Sequence, residues 1–367
     1  MNKFFLLLLL LHGFVSSIEA QIVTIPDANF KNYLVNVLCV DTDGDGIPDD
    51  DVDTNNDGEV QVSEAEVVTF LKTSSGNISN LEGIQYFVNL QEFHCTFNHI
   101  TNMDVTYSLD LRKLVCYRNE LTAIHPGNYP NLEYLSVGEN FLTSIDISDN
   151  SNLYYLAFPH NSISSINLLN NAPLEVLVGS YNNLTSLNVS NNVNLRNIFI
   201  EGNAITSLDF SANPNLDYVW CQENQLVNFN INNNNNEGIG SLFTLYNPNL
   251  SCIQVDDVAY AEFQAFLGEW NIDEWTEFSE SCELGYENHY LSNAFNLYPN
   301  PVSQTLTVTS DNPILSTTVF NGVGMRLSSE PGSATQMTLD LAHLPAGIYF
   351  ITIETTKGLK TQKVIKE

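Results

Sequence analysis

Positive charge is what this chain has least of. Twelve Lys and Arg stand against 43 Asp and Glu in 367 residues, giving a formal charge of −31 at pH 7. Nucleic acid is a poor partner for such a chain, because phosphate binding depends on clustered Lys and Arg. Charged residues of both signs make up only 15% of the sequence, while the 43% apolar share argues against disorder. No C-x-x-C pair, G-x-S-x-G turn or phosphate loop occurs, and the seven His are scattered, which removes the usual redox, nucleophile and nucleotide motifs. After residue 20 no apolar run approaches the about 18–20 residues of a membrane helix.

The first residues are a different case. Lys3 precedes the apolar run Phe4 to Leu11, and small residues lead to Ala20-Gln21. A short basic start, an apolar core and a small residue at the cut read as a secretory signal peptide over 1–20. Its removal takes Lys3 and Glu19, so the charge is unchanged. The mature protein is expected to be exported and soluble, where disulfides persist.

Asn dominates the middle of the chain at a fixed step. Asn77, Asn98, Asn119, Asn140, Asn161, Asn182, Asn203 and Asn224 are each 21 residues apart. Leu90, Leu111, Leu132, Leu153, Leu174, Leu195 and Leu216 keep the same interval, as do Phe93, Leu114, Leu135, Leu156, Leu177, Ile198 and Val219. A frame that no insertion breaks marks a solenoid, whose turns stack on one another. The unit, L-x-x-L-x-(C/V/F/I)-x-x-N-x-(L/I), resembles the leucine-rich repeat, in a short form like that of Bacteroidetes surface proteins. The resemblance implies an α/β solenoid, a horseshoe of 21-residue repeats over 77–250 with a parallel concave sheet. Alternation along each strand would send every second side chain inward, and a buried Asn amide at the bend would satisfy backbone groups. A parallel β-helix, with three sheets per coil, is the rival architecture.

Both ends need caps. Residues 21–76 read as a helical cap, with Phe30, Leu34, Val37 and Leu38 on one helical face. A second helix is expected where Ser63 and Glu66 are spaced as a capping box ahead of Val67, Val68, Phe70 and Leu71. At the far end the Asn run 232–236 breaks the step, and the segment from Asn249 to Tyr260 resembles the closing unit of the same repeat proteins, within a cap expected over 251–283. Cys252 and Cys282 bracket that unit and are expected to pair. Cys95, Cys116 and Cys221 share one inward column and read as packed thiols, and Cys39 has no evident partner.

The N-terminal cap carries an acidic insert without one Lys or Arg between 41 and 66. Asp53, Asn55, Asp57, Gly58 and Glu64 occupy positions 1, 3, 5, 6 and 12 of an EF-hand-like loop, with Glu59 between them. Upstream, Asp41, Asp43, Asp45, Gly46 and Asp49 repeat the start of the pattern, but position 12 is Val52. That stretch resembles the Asp-rich calcium repeats of thrombospondin type 3, with Asp51 or Asp53 as a shared ligand. Hard oxygens point to a structural Ca²⁺.

After a linker at 284–295 the vocabulary changes. Y-P-N-P from Tyr298, short alternating strands around Leu306–Val308 and Thr317–Phe320, L-P-A-G-I-Y from Leu344 and a basic finish through Lys366 predict an antiparallel β-sandwich. This order resembles the C-terminal sorting domain of the type IX secretion system over 296–367. Phe350-Ile351 departs from the more usual Val-Val pair. The resemblance implies a partner in the secretion machinery and delivery to the outer-membrane surface or beyond.

For function, the outward positions of the concave strands hold Tyr117, Tyr134, Tyr155, Phe199, Tyr218 and Trp220. Aromatics with few charges beside them suit protein interfaces and sugar faces. Only four basic residues, Arg112, Lys113, Arg118 and Arg196, lie between 76 and 282, and three of them sit close together as one local patch. The expected function is non-enzymatic binding or adhesion to a protein or glycan. The alternatives are a polysaccharide-acting enzyme, using carboxylates such as Glu92, Glu133 and Glu139 near His94, and a purely structural surface component.

Overall fold

The computed structural model describes residues 21–103, 107–126, 129–282, 295–322, 324–355 and 358–367. The expected signal peptide 1–20, and the linker 284–295 save its last residue, lie outside the described residues. The 21-residue step becomes one turn of a solenoid. Each turn contributes a strand of two or three residues, from Phe70–Lys72 through Glu92–His94, Lys113–Val115, Tyr134–Ser136 and onward to Trp270–Asn271, to one ten-stranded sheet. Every pairing in it is parallel and in register, so that Leu114, Leu135, Leu156, Leu177, Ile198 and Val219 stack in line and are fully buried. One contiguous core runs from the N-terminal cap to the last turns.

Among the described residues helix is confined to the caps and to short 3₁₀ turns, so the side opposite the sheet is built of turns and extended segments. Among the described residues a second parallel sheet appears only in the last turns, from Ser207–Asp209 through Asn228–Asn230 and Cys252–Gln254 to Glu277–Ser279. The coil therefore has one long sheet, joined late by a short one, and not the three of a β-helix.

Two Asn ladders hold the turns together. In the first, Nδ2 of Asn119 donates to the Cys95 and Cys116 carbonyls while its Oδ1 accepts from the Ile100 amide. Asn98, Asn140, Asn161, Asn182, Asn203, Asn224 and Asn247 repeat the arrangement. Asn77 keeps the spacing but lies exposed, and its place at the start of the ladder is taken by Asn98, whose oxygen receives the Gly76 and Ile78 amides at 3.0 Å. The second ladder, Asn150, Asn171, Asn192 and Asn213, has the same period and is fully buried. Each donates to carbonyls 21 and 24 residues back.

Helix α1 (Ala28–Asn36) buries Phe30 and Leu34, but it stops one residue before Val37, and Leu38 is 60% exposed. Asp27 caps it and also accepts from Ser79 and Asn80, fastening the cap to the first repeat. The expected second helix is corrected. Helix α2 (Val62–Ala65) is a single turn, its capping box is Gln61 with Glu64, and Phe70 and Leu71 belong to the first strand of the sheet. A strand so short has no room to show alternation, which is why its apolar residues read as a helical face.

At the other end, α3 (Val258–Leu267) is capped by Asp257, and Cys252 is disulfide-bonded to Cys282. The C-terminal segment forms two antiparallel sheets of three and four strands around their own core. Its strands Thr305–Ser310 and Ile314–Asn321 run longer than the alternation suggested. Phe350, the departure from Val, has a contact of its own: with Phe320 it packs on Phe263 of α3, ring centroids 5.0 Å apart.

Candidate functional site

Two side chains of each three-residue strand face outward. At the first position Tyr134 and Tyr155 lie parallel, centroids 4.0 Å apart, followed by Val176, Asn197 and Tyr218. Burial and the Tyr155 hydroxyl push the Tyr134 phenol well above its ordinary value. At the third position Phe199 meets Trp220 edge to face at 5.0 Å, and Trp220 meets Phe243 the same way at 5.2 Å. The Trp220 indole donates to the Ser241 hydroxyl at 3.2 Å, which fixes the ring. Phe243 was absent from the expected set because it lies beyond the Asn run that interrupts the repeat.

Tyr117 is corrected. It follows the inward Cys116 and stands past the end of the strand, where its hydroxyl donates to Glu139. That bond, ahead of burial, raises the phenol's pKa, and with Arg118 it lowers the carboxyl's. Two further carboxylates of this half are similarly engaged. Glu92 pairs with Lys113 at 3.2 Å and lies 3.4 Å from His94, and Glu133 pairs with Arg112 at 3.4 Å. Burial holds the His94 imidazole below its ordinary value. Cations also meet aromatics here, Lys113 over Tyr134 at 5.5 Å and Arg118 over Phe97 at 5.1 Å.

In the acidic insert, Asp41, Asp43 and Asp45 each bring an oxygen within 4.8 Å of the others. Both oxygens of Asp41 accept amides, from Gly44 and Gly46 at 2.7 Å, and the two glycines turn the loop at φ of +83° and +85°. Three oxygens so drawn together fit a hard cation. Asp49 instead accepts from Thr42. In the second loop Asp53 accepts the Asp57 and Gly58 amides, and Asn55 accepts from Asp57. Glu64 is directed elsewhere, accepting from Thr54, Asn55 and Gln61 as the helix cap. Glu59 pairs with Lys31 at 2.6 Å. Asp51 is pushed up by burial and by Asp50 and Asp53, the sign of carboxylates crowded without a counter-charge.

Residues 296–367 match the family of the secretion system C-terminal sorting domain. The chain is thus a solenoid protein that carries its own export address, delivered to the cell surface or the extracellular space by the type IX machinery. No helix among the described residues is long and apolar enough to cross a membrane. Among solved structures the chain is similar to an internalin C2 of Listeria monocytogenes, at 20% identity over 57% of this chain and 90% of that one, TM-score 0.48. It is also similar to an internalin F of the same species, at 16% identity over 73% and 99%, TM-score 0.41. A leucine-rich repeat protein of Leptospira interrogans matches at 18% identity over 51% and 62%, TM-score 0.37. No curated protein matches. The architecture rests on the observed sheet and ladders.

Proposed function

We propose that this is a secreted or surface-anchored recognition protein, non-enzymatic, that captures a protein or glycan ligand on the open face of its ten-stranded sheet. What supports the reading is one arrangement: aromatic side chains at outward positions of successive turns, held on a scaffold that cannot rearrange without breaking the register. Rings with few rotamers bring large contact area at low entropy cost, and pre-organisation lowers the cost of binding further. The acidic insert would take up Ca²⁺ through Asp41, Asp43 and Asp45, with Asp53, Asn55 and Asp57 as the second set. Its role would be structural, neutralising a segment whose charges repel.

The test is a glycan and protein binding array probed with the full mature chain, followed by Tyr155→Ala and Trp220→Ala. The reading expects captured ligands to be lost on one or both substitutions while the melting temperature stays within a few degrees. Ligands indifferent to both changes, or turnover on a polysaccharide panel, would remove it.

A further inference from the structure

The two halves of the sheet face differ in a way that names a ligand chemistry. In the N-terminal half the chain supplies its own cations. Lys113 lies over Tyr134 and pairs with Glu92, and Arg118 lies over Phe97 and pairs with Glu139. Those two rings and two carboxylates are satisfied within the chain. The C-terminal half has the same two ingredients, aromatic rings and carboxylates, and of the third only Arg196, which precedes its first strand. From Asn197 to Cys282 there is no Lys or Arg at all.

What stands there is half-buried Phe199, Trp220 and Phe243, each set perpendicular to the next. Beside them, on the turns that carry those strands, are Glu201, Gln222 and Asp217. Glu201 Oε2 and Gln222 Oε1, in adjacent turns, are buried with no hydrogen-bond donor among the described residues. The Gln222 amide can turn to offer its Nε2–H to Glu201, but that bond is neutral and leaves the carboxylate without a cation. A carboxylate left in this condition is costly unless a positive charge comes close. An aromatic face is at the same time the surface on which a guanidinium or ammonium gains most.

We propose that this half of the face, centred on Trp220 and Glu201, binds an extended protein segment through Arg or Lys side chains. The inference rests on the recognition reading and narrows it to a basic protein partner. Charge complementarity argues for it directly: Lys113 and Arg118 stand over rings in the first half, whereas after Arg196, on the turn that opens the second, no Lys or Arg follows up to Cys282. Successive turns offer acceptors and rings at a repeating interval, which suits a segment carrying cations at alternate positions and not an isolated small amine.

The experiment uses the full mature chain and a fluorescein-labelled peptide of alternating Arg and Ser, with Glu-Ser and Gln-Ser peptides of equal length, read by fluorescence anisotropy. The Arg-Ser peptide should bind and the other two should not, with weaker binding as salt rises from about 50 to 300 mM. Trp220→Ala and Glu201→Gln should each weaken it about tenfold, whereas Glu82→Gln, on a distant exposed turn, should change it less than about twofold. Trp220→Leu, which keeps an apolar side chain, should weaken it as Ala does and guards against a folding defect. Equal binding by all variants would mean bulk attraction to an acidic chain and would overturn the proposal, as would no binding. If array ligands depend on Trp220 but not on Glu201 or salt, recognition stands and the basic partner falls. If they depend on neither, both fall.

Discussion

The Asn140 side chain donates to the carbonyl of Cys116, in the turn before its own, across 3.0 Å. It also donates to Val137 and Gly138 and accepts from Leu121, so one buried amide serves four backbone groups. Asn171 in the second ladder serves only two, Ile147 and Asn150, and its Oδ1 is buried without a donor. Orphaning a buried backbone group costs about 1–3 kcal/mol, and removing an unsatisfied acceptor returns part of that. Asn140→Ala should therefore destabilise by about 3 kcal/mol or more and Asn171→Ala by roughly half as much. Denaturant melts of the two variants decide it, and equal losses would show that the count of partners is not what sets the cost.

Much of the fold is legible in the sequence, because a period of 21 reveals which columns are inward before any strand is seen. The second ladder shares that period, yet it sits among Asn152, Asn170, Asn191 and Asn194, and composition hides the four that are buried. The first strand was obscured for a local reason, three residues being too few to show alternation. The site is less legible than the fold. That Tyr134 and Tyr155 face outward follows from the repeat, but the engagement of Tyr117 by Glu139 joins residues 22 apart through geometry alone.

Glu262 on α3 gives the cap a pH dependence. Burial, then the neighbouring Glu277, raises its carboxyl to about 7, and Lys360 opposes the shift. The folded chain thus holds a proton that the unfolded chain has already released above its ordinary 4.5. Stability from this group is fully present below that ordinary value and is lost as pH rises through about 7. Burial raises Glu277 with the same sign. Glu262→Gln should raise the melting temperature at pH 8 by about 2 °C or more and leave it unchanged at pH 4.5. A difference independent of pH would place the effect in packing.

Asp45 and Glu64 separate the two roles expected of the acidic insert. Asp45 lies in the cluster with Asp41 and Asp43, whereas Glu64 accepts the Gln61 amide at 2.9 Å as a cap. Under the calcium proposal, calcium should raise the melting temperature of the parent chain above its value in chelator, and Asp45→Ala should abolish that increment. Glu64→Gln should cost about 1–2 kcal/mol in both conditions. Loss of the increment alone on Glu64→Gln would make the glutamate a ligand instead, as its position in the twelve-residue pattern first suggested.

Gly202 looks like a residue chosen for its backbone, with φ of +67°. Its column argues otherwise. Phe97, Arg118, Glu139, His160, Tyr181 and Glu223 occupy the equivalent place in other turns with φ between 47° and 59°, all with side chains. What distinguishes Gly202 is the ring above it: a Cβ there would lie 2.5 Å from Cδ1 of Tyr181, which stacks on His160 at 4.6 Å. Tyr181 is 42% exposed, so its ring has room to swing away. Gly202→Ala should consequently cost no more than about 1 kcal/mol while unstacking Tyr181 from His160. The readout is loss of the ring-current shift on the His160 imidazole protons, taken together with a denaturant melt. If the stack persists and stability falls by more than about 2 kcal/mol, the backbone requires glycine after all and the ring is incidental.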